Sequence, residues 1–339
     1  MISSQMWLDL LWGAFWQGTA ALAVVWALCR AFPQVPARVR CWLWRAGLAK
    51  PLLWLVGAPQ IKLECLPRLR TVLAQVISAD FANSIPTRLT LRMMLARPAA
   101  IVCAVALCAW VGRIVTELAR TRRLMARCRP LPSGEARDAV MAALDRLCRP
   151  AHRPNVVMSD WAYAPITMRR GLGYVIVLPE WLVAPSRRAD LVLVLAHETA
   201  HINRRDLQWN WLPTVAGLVF FMNPMVWLAR RELALAQEAA CDEFALRATG
   251  VCASQYGALL LSMAAVRPAP AWQTAIAFTS APASAIRRRL LELKTALSTP
   301  PAKRLSAAIV VLLMVFALVM PFSLVEASRV PEGILISMG

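Results

Sequence analysis

Long apolar runs without a charged residue stand near both ends of the chain. Residues 10–29 and 305–325 are uncharged over 20 and 21 positions, and about 20 apolar residues let a helix cross a hydrocarbon core of about 30 Å. Two weaker runs, 41–58 and 98–116, contain a few basic residues whose side chains can reach the headgroup region. The hydrophobic pattern therefore predicts an α-helical integral membrane protein with four spans, three of them within residues 1–117.

A fifth apolar run, at 209–229, reads WNWLPTVAGLVFFMNPMVWLA and is also long enough to span. Pro213 and the pair Asn223-Pro224 interrupt it, and a proline inside a helix removes a hydrogen bond and disturbs the preceding turn. The resulting pieces are too short to cross a bilayer. We therefore expect a membrane-associated hairpin that turns at Asn223-Pro224 and returns to the side from which it entered.

The segment between the third and last spans, residues 118–304, shows the mixed patterns of an α+β domain. Residues 134–148 have apolar positions at helical spacing. Two short runs, 155–160 and 174–179, are typical of strands and have glycines between them. This segment is the only one large enough for a soluble domain.

Two longer helices are predicted in the second half of this domain. The run from Asp190 to Asp206 contains neither Gly nor Pro, which favours a helix with Asp190 near its start. A second helix follows Asn223-Pro224 and ends at Gly250, a residue suited to the left-handed conformation after a helix. Residues 267–285 are rich in Pro, Ala and Ser, which indicates a linker.

Composition and charge agree with a membrane protein rather than with a nucleic-acid-binding protein. The chain of 339 residues is 59% hydrophobic, and its net charge is +19. The arginines flank the apolar runs and form no recognition-helix pattern, so we expect membrane lipid as a partner and no direct contact with nucleic acid.

The placement of the basic residues predicts the topology. Three arginines lie at 30–40, after the first span, and Lys303 and Arg304 precede the last one. Because basic loops stay on the cytoplasmic side, we expect a bacterial-type inner-membrane protein with the domain 118–304 in the cytoplasm. Both termini, including a short tail at 326–339, are then extracytoplasmic.

The candidate chemistry lies in the motif H-E-x-x-H, formed by His197, Glu198 and His201. On a helix, side chains four residues apart share a face, so both imidazoles can bind one ion. Glu198 is rotated away from that pair and can act as the general base on a water bound to the same metal. The alternative is a pair of histidines that only donate to backbone carbonyls.

A catalytic zinc ion needs a third protein ligand and an open fourth position. His152 lies in a proline-rich turn and is expected to be exposed, so a carboxylate must serve. Glu238 is the predicted ligand, and Asp242, one turn further along the same helix, is predicted to bind a ligand histidine from behind. Glu232 and Glu243 lie on other faces of that helix and are expected to be solvated charges.

The sequence resembles the membrane-embedded zinc peptidases typified by the beta-lactam sensor-transducers of the BlaR/MecR type. The most specific pieces are LAHETAHINRRD and FMNPMVWLARRELALAQEAACDEFAL, and VIVLPEWL is a weaker one. The resemblance implies a cytoplasmic gluzincin-like α+β zinc peptidase domain, with Zn²⁺ on His197, His201 and Glu238 and with Glu198 as the base. It also implies that a strand near Tyr163–Met168 is the edge to which a substrate peptide adds; Arg169 and Arg170 beside it depart from the family.

The function implied is that of a membrane-anchored zinc endopeptidase in signal transduction. Its expected partner is a cytoplasmic or juxtamembrane protein substrate, with a transcriptional repressor and the protein itself as candidates. The alternatives are a quality-control or prenyl-protein-type membrane protease and a non-catalytic signalling scaffold that contains zinc. The outer segments contain no S-x-x-K motif, and the transducers' penicillin-binding sensor has no counterpart in them, so we do not expect binding of beta-lactams.

Overall fold

The computed structural model describes residues 4–56, 61–66, 85–148, 152–265, 283–298, 300–319 and 322–326. The N-terminal part comprises α1 (Ser4–Ala31), α2 (Ala37–Leu55), β1 (Ile61–Leu66) and α3 (Ile85–Met125). The central part comprises β2 (Arg129–Pro130), α4 (Glu135–Leu147), β3 (Asn155–Ser159), β4 (Ile166–Arg170), β5 (Gly173–Pro179), α5 (Arg188–Asn203), α6 (Asp206–Trp209), α7 (Trp211–Val219), α8 (Pro224–Thr249) and α9 (Ala253–Ala265). The chain ends with α10 (Ala283–Ser298), α11 (Pro301–Val319) and β6 (Phe322–Glu326).

Helix α1 contains the stretch Leu10–Ala31, which alone among the described helices is long and apolar enough to cross a membrane. Helix α2 packs closely against it at Gly47. A Cβ atom added there would lie only 2.9 Å from the side chain of Leu22, so the contact has no room for a larger residue. The first predicted span thus coincides with a candidate helix, and the membrane crossing of all four predicted spans stays a prediction. The one at 41–58 falls on α2, which ends at Leu55 and buries the basic residues Arg45 and Lys50.

Helix α3 is much longer than the span predicted at 98–116. Its 41 residues extend over about 60 Å, twice the thickness of a hydrocarbon core. Large apolar side chains are exposed along its described middle part: Ile101, Val105, Val111, Ile114, Val115 and Leu118. An apolar surface of this kind marks a site of contact with membrane or protein, and the span predicted at 98–116 stays a prediction.

The last predicted span, 305–325, is wrong at its C-terminal end. Helix α11 ends at Val319, and Phe322–Glu326 form β6, which pairs in parallel with β1. Phe322–Glu326 alternate between apolar and polar residues, so they fit a strand better than a helix. The predicted tail at 326–339 lies outside the described residues from residue 327 onwards.

The central part is built around a four-stranded mixed sheet with the order β2-β3-β5-β4. Strands β3 and β5 confirm the two predicted strands, and they pair in parallel. Strand β5 is buried along almost its whole length because helices cover one face, which carries Ile176 and Leu178, while Val175 and Val177 pack on the other. Strand β4 is the sheet edge beside the helix that carries the histidines.

Helix α5 was predicted to continue to Asp206 but ends at Asn203. Arg205 has φ of 57°, a left-handed conformation that non-glycine residues rarely adopt. This reversal starts the short helix α6 at Asp206 and turns that carboxylate back towards α5. Such conformations persist where the surrounding contacts hold them, often at functional sites.

The apolar run 209–229 breaks as predicted. Helix α7 ends at Val219, and Asn223 begins α8 by accepting a hydrogen bond from the Met225 amide. Pro224 occupies the first position of α8, where no intrahelical hydrogen bond is lost. The C-terminal prediction for this helix is also confirmed, since Gly250 follows it with φ of 69°. The membrane association of the hairpin stays a prediction.

Helix α8 connects two hydrophobic cores. Its first half, through Ala240, packs with α1, α2 and α7, whereas Ala245 and Leu246 belong to the core beneath the sheet. Helices α10 and α11 return to cover it. The predicted linker 267–285 lies outside the described residues except for 283–285, which begin α10.

Candidate metal centre

The two histidines of the motif lie one turn apart on α5, and Glu238 of α8 faces both. The Nε2 atom of His197 lies 3.5 Å from Glu238 Oε2, and the Nε2 atom of His201 lies 3.7 Å from Glu238 Oε1. All three side chains are largely buried. One ligand atom from each lies within 4.8 Å of the others, so the three residues can share one metal ion.

The donor set fits a catalytic zinc ion. Two imidazoles and one carboxylate are a known ligand set for catalytic zinc, which leaves the fourth position open. Ligand atoms at zinc distances of 2.0–2.2 Å and tetrahedral angles lie about 3.4 Å apart, close to the observed 3.5 and 3.7 Å. The three groups can therefore bind zinc with little movement.

His197 is oriented by a buried hydrogen-bond network behind it. Its Nδ1 lies 3.0 Å from Asp242 Oδ1, and because a carboxylate only accepts, Nδ1 carries a proton, so Nε2 is the nitrogen that can bind a metal after losing its own proton. Tyr256 of α9 donates to the same carboxylate at 2.7 Å. Asp242 is thus where the sequence placed it, behind a histidine, and Tyr256 is a partner that sequence reasoning missed.

Arg289 of α10 binds Glu238 and Asp242, the two carboxylates of α8 that contact His197. It donates to Asp242 at 2.6 and 2.8 Å, and its guanidinium lies 3.2 Å from Glu238. Burial opposes ionisation of Glu238, but the nearby charge of Arg289 and the contacts with the histidines lower its pKa to about 2. Glu238 is therefore ionised at physiological pH, as a metal ligand must be.

The protonation of His197 responds to the same carboxylates. Burial disfavours the charged ring, but hydrogen bonds with Asp242 and Glu238 raise the pKa of His197 to about 10 in the metal-free protein. A metal ion must displace a proton from this histidine when it binds, because only the neutral ring offers a free Nε2 lone pair.

His201 has its own buried carboxylate, which sequence reasoning also missed. Its Nδ1 lies 3.2 Å from Asp206 Oδ2, and Asp206 accepts from Arg204 at 3.0 Å and from Arg45 of α2 at 2.8 Å. Burial opposes the charge of Asp206, but its hydrogen bond with His201 and the nearby charge of Arg204 hold its pKa well below the ordinary value. The left-handed Arg205 makes this contact possible.

A second group, His201, Asp206 and Cys241, also comes close enough to share an ion. Asp206 and Cys241 both approach the Nδ1 atom of His201, and the Cys241 sulfur lies 3.4 Å from it. Burial raises the pKa of the Cys241 thiol well above its ordinary value, and Asp206 and Cys241 both face the Nδ1 atom of His201, not the Nε2 atom that faces Glu238. This group supports His201 from behind rather than forming a separate centre.

Glu198 lies next to the edge strand of the sheet. It is buried, and the Thr167 hydroxyl of β4 donates to its Oε2 at 2.5 Å. The strand predicted near Tyr163–Met168 is thus displaced slightly along the chain, because Pro165 precedes it and it begins at Ile166. Because one residue along a helix corresponds to a rotation of about 100°, Glu198 lies beside the face shared by the two histidines and not on it.

Other predictions for charged residues are corrected by helix packing. Glu232 is buried and accepts two hydrogen bonds from Arg288, and Glu243 pairs with Arg304. Both were expected to be solvated, but α10 and α11 cover the faces on which they lie. His152 was expected to be exposed and is half-buried, with its ring 6.4 Å from that of Tyr174.

Replacement of Asp206 by Asn is expected to weaken zinc binding about 10- to 100-fold, because the charged acceptor that orients His201 is replaced by a neutral amide, whose oxygen accepts more weakly. The affinity is measured by competition with a chromophoric chelator. Asp145→Asn, at an exposed position, is the control and keeps wild-type affinity. Melting curves of the metal-free proteins separate loss of orientation from loss of folding, and an unchanged zinc affinity in folded Asp206→Asn would remove Asp206 from this role.

Comparison with known proteins identifies the family to which the chain belongs. The model of the family described as BlaR1 peptidase M56 matches residues 10–293, most of the chain and all the residues of the candidate centre. The regulatory protein BlaR1 of Bacillus licheniformis is 24% identical over 130 residues, which are 38% of this chain and 22% of that protein. The family expected from the sequence is thereby confirmed: the chain belongs to the BlaR1 peptidase M56 family of membrane-associated metallopeptidases.

Proposed function

We propose that the protein is a membrane-anchored zinc endopeptidase that cleaves cytoplasmic or juxtamembrane protein substrates in signal transduction. The observation that carries this proposal is the convergence of His197, His201 and Glu238, with Glu198 beside them and an edge strand alongside. The family supports a peptidase, and the relative in Bacillus licheniformis bears the name of a regulatory protein.

Each residue around the centre has a separate role in the proposed hydrolysis of a peptide bond. A zinc ion on the three ligands would lower the pKa of a bound water to about 7 and polarise the scissile carbonyl. Glu198 accepts the proton of that water on its carboxylate and can pass it to the leaving amine. Thr167 fixes the orientation of Glu198, and Asp242 and Asp206 hold the two imidazoles in place.

Strand β4 is the surface that suits a peptide substrate. It pairs with β5 on one side only among the described strands, which leaves a row of backbone donors and acceptors at the sheet edge. An extended peptide can add to such an edge, and Thr167 places Glu198 within reach of it. This arrangement supports the assignment of the domain as gluzincin-like and favours cleavage within a chain.

The packing of the helices supports the topology that we propose, with the peptidase part in the cytoplasm and both termini outside. Strand β1 follows α2 and β6 follows α11, and the two strands pair in parallel. The ends of α2 and α11 must therefore lie on the same side. In addition, His197 and Glu238 flank the 209–229 run and meet at one centre, so that run cannot carry the chain across the bilayer.

A non-catalytic zinc scaffold is less well supported, because a structural site has no use for the buried carboxylate of Glu198 next to the ligands. The remaining alternative is a protease of broad quality control. Protein N-termini in cells that express the wild type or Glu198→Gln separate the two. We expect one or a few new N-termini that depend on Glu198. Many unrelated membrane-protein fragments would indicate quality control, and identical profiles would contradict an active peptidase.

A further inference from the structure

A cavity of about 400 Å³ lies between the end of α1, the α1–α2 connection, α8, α10 and the start of α11. Its charged lining consists of four arginines and two glutamates: Arg30, Arg40, Arg288, Arg304, Glu243 and Glu292. The volume falls within the range of small-ligand sites, and helices from both hydrophobic cores form its walls. None of these charged side chains takes part in the proposed catalytic chemistry.

The carboxylates around the cavity do not balance its arginines. Glu292 accepts two hydrogen bonds from Arg40, at 2.9 and 3.1 Å, and Glu243 pairs with Arg304. Arg288 binds Glu232, which lies just outside the lining. Even with Glu232 counted, four arginines face three glutamates, and one positive charge remains.

Two of the arginines have capacity for an additional acceptor. Arg30 is exposed at the end of α1, and no carboxylate pairs with it among the described residues. The Nε–H group of Arg40 is buried and donates to no acceptor in the described part of the chain. A buried donor without a partner is costly, and an anion in the cavity would satisfy it. The surplus of one charge matches a singly charged phosphodiester.

The position of the cavity indicates where that phosphodiester comes from. Cys29 and Arg30 line it, and both lie at the very end of Leu10–Ala31, the stretch long and apolar enough to cross a membrane. This end is the one that the basic residues place at the cytoplasmic surface. Basic pockets between membrane helices at that surface are typical binding sites for anionic lipid headgroups.

We propose that this cavity binds the phosphodiester headgroup of an anionic phospholipid from the cytoplasmic leaflet. The headgroup enters beside Arg30 and accepts hydrogen bonds from Arg30 and from the Nε–H of Arg40. The site is separate from the metal centre but shares α8 and α10 with it, since Ala239 lines the cavity next to Glu238 and Arg288 precedes Arg289.

The test is native mass spectrometry of the full-length protein in detergent, titrated with phosphatidylglycerol or with phosphatidylcholine. We expect one tightly bound phosphatidylglycerol and at least about fivefold weaker binding of phosphatidylcholine. Arg30→Gln should lower the affinity for phosphatidylglycerol about fivefold, which corresponds to one headgroup–arginine interaction. Arg38→Gln removes the same charge from an exposed position outside the cavity, so it should change the affinity less than twofold.

Leu291→Trp provides a second variant, because it adds bulk at an exposed position of the lining without a change of charge. It should also weaken the binding of phosphatidylglycerol at least fivefold. Equal effects of Arg30→Gln and Arg38→Gln, or equal binding of the two lipids, would overturn the proposal. A second titration uses soluble glycerophosphoglycerol, which has the same headgroup without the acyl chains. If it binds as tightly as phosphatidylglycerol and with the same dependence on Arg30, the cavity is a site for a free phosphodiester, and the proposal of a lipid ligand is wrong.

Discussion

Glu198→Gln is expected to retain one zinc ion per chain and to lose proteolytic activity by a factor of about 10² to 10⁴, the usual contribution of a general base. The amide has nearly the same shape as the carboxylate and can still accept from Thr167, but it cannot take a proton from water at neutral pH. Zinc is counted by elemental analysis of the purified protein. The cleavage rate is measured on a substrate found by comparison of cellular N-termini.

The control for this variant is Glu180→Gln, at an exposed position before α5. It should retain both zinc and activity. Two results would contradict the assignment of Glu198. Loss of zinc from Glu198→Gln would make Glu198 a ligand, and undiminished cleavage would mean that another group takes the proton.

Glu238→Ala is expected to lose zinc and activity together. An outer partner of a ligand contributes 10- to 100-fold to metal affinity, and removal of a ligand itself should cost more than that. Glu232→Ala is a closely matched control, because Glu232 lies on the same helix, is equally buried and also pairs with an arginine of α10. It should lower the melting temperature through its lost ion pair but retain wild-type zinc affinity.

The zinc content of Glu238→Ala must be measured on folded protein, since Arg289 loses a partner when the Glu238 carboxylate is removed. Glu238→Gln keeps the volume of the side chain and isolates the loss of the charge. Full zinc occupancy in folded Glu238→Ala would contradict the assignment of Glu238 as a zinc ligand. Equal loss of zinc from Glu232→Ala would show that the effect comes from the ion pairs between α8 and α10 and not from coordination.

The parts of the centre that could be predicted are those fixed within single helices. His197 and His201 share a face because they are four residues apart, and the same spacing relates Glu238 to Asp242. These local relations hold whatever the tertiary structure, and the structure brings the two pairs together. The break of the 209–229 run was predictable for a similar reason, since Asn223-Pro224 acts on the backbone next to it.

The partners on other elements could not be predicted from one sequence. Arg45, Tyr256 and Arg289 come from α2, α9 and α10, and no periodicity says how these helices pack on α5 and α8. The same gap explains the wrong expectation for Glu232, which α10 covers. Asp206 is only five residues after His201, so its closeness along the chain was visible in the sequence. Its contact with His201, however, depends on the left-handed conformation of Arg205, which ends the helix where the sequence predicted that it would continue.

The ion pair between Arg45 and Asp206 makes α2 a component of the candidate metal centre. A chain trimmed to the peptidase part would leave a buried carboxylate without one of its two arginines. Loss of one partner of a buried pair costs about 3–5 kcal/mol, a large share of the 5–15 kcal/mol that keeps a typical domain folded. Arg45 of α2 lies 2.8 Å from Asp206 Oδ1, and Asp206 Oδ2 lies 3.2 Å from Nδ1 of His201, so a single carboxylate connects α2 with that imidazole. A shift of this helix relative to the centre therefore acts directly on the orientation of a candidate metal ligand.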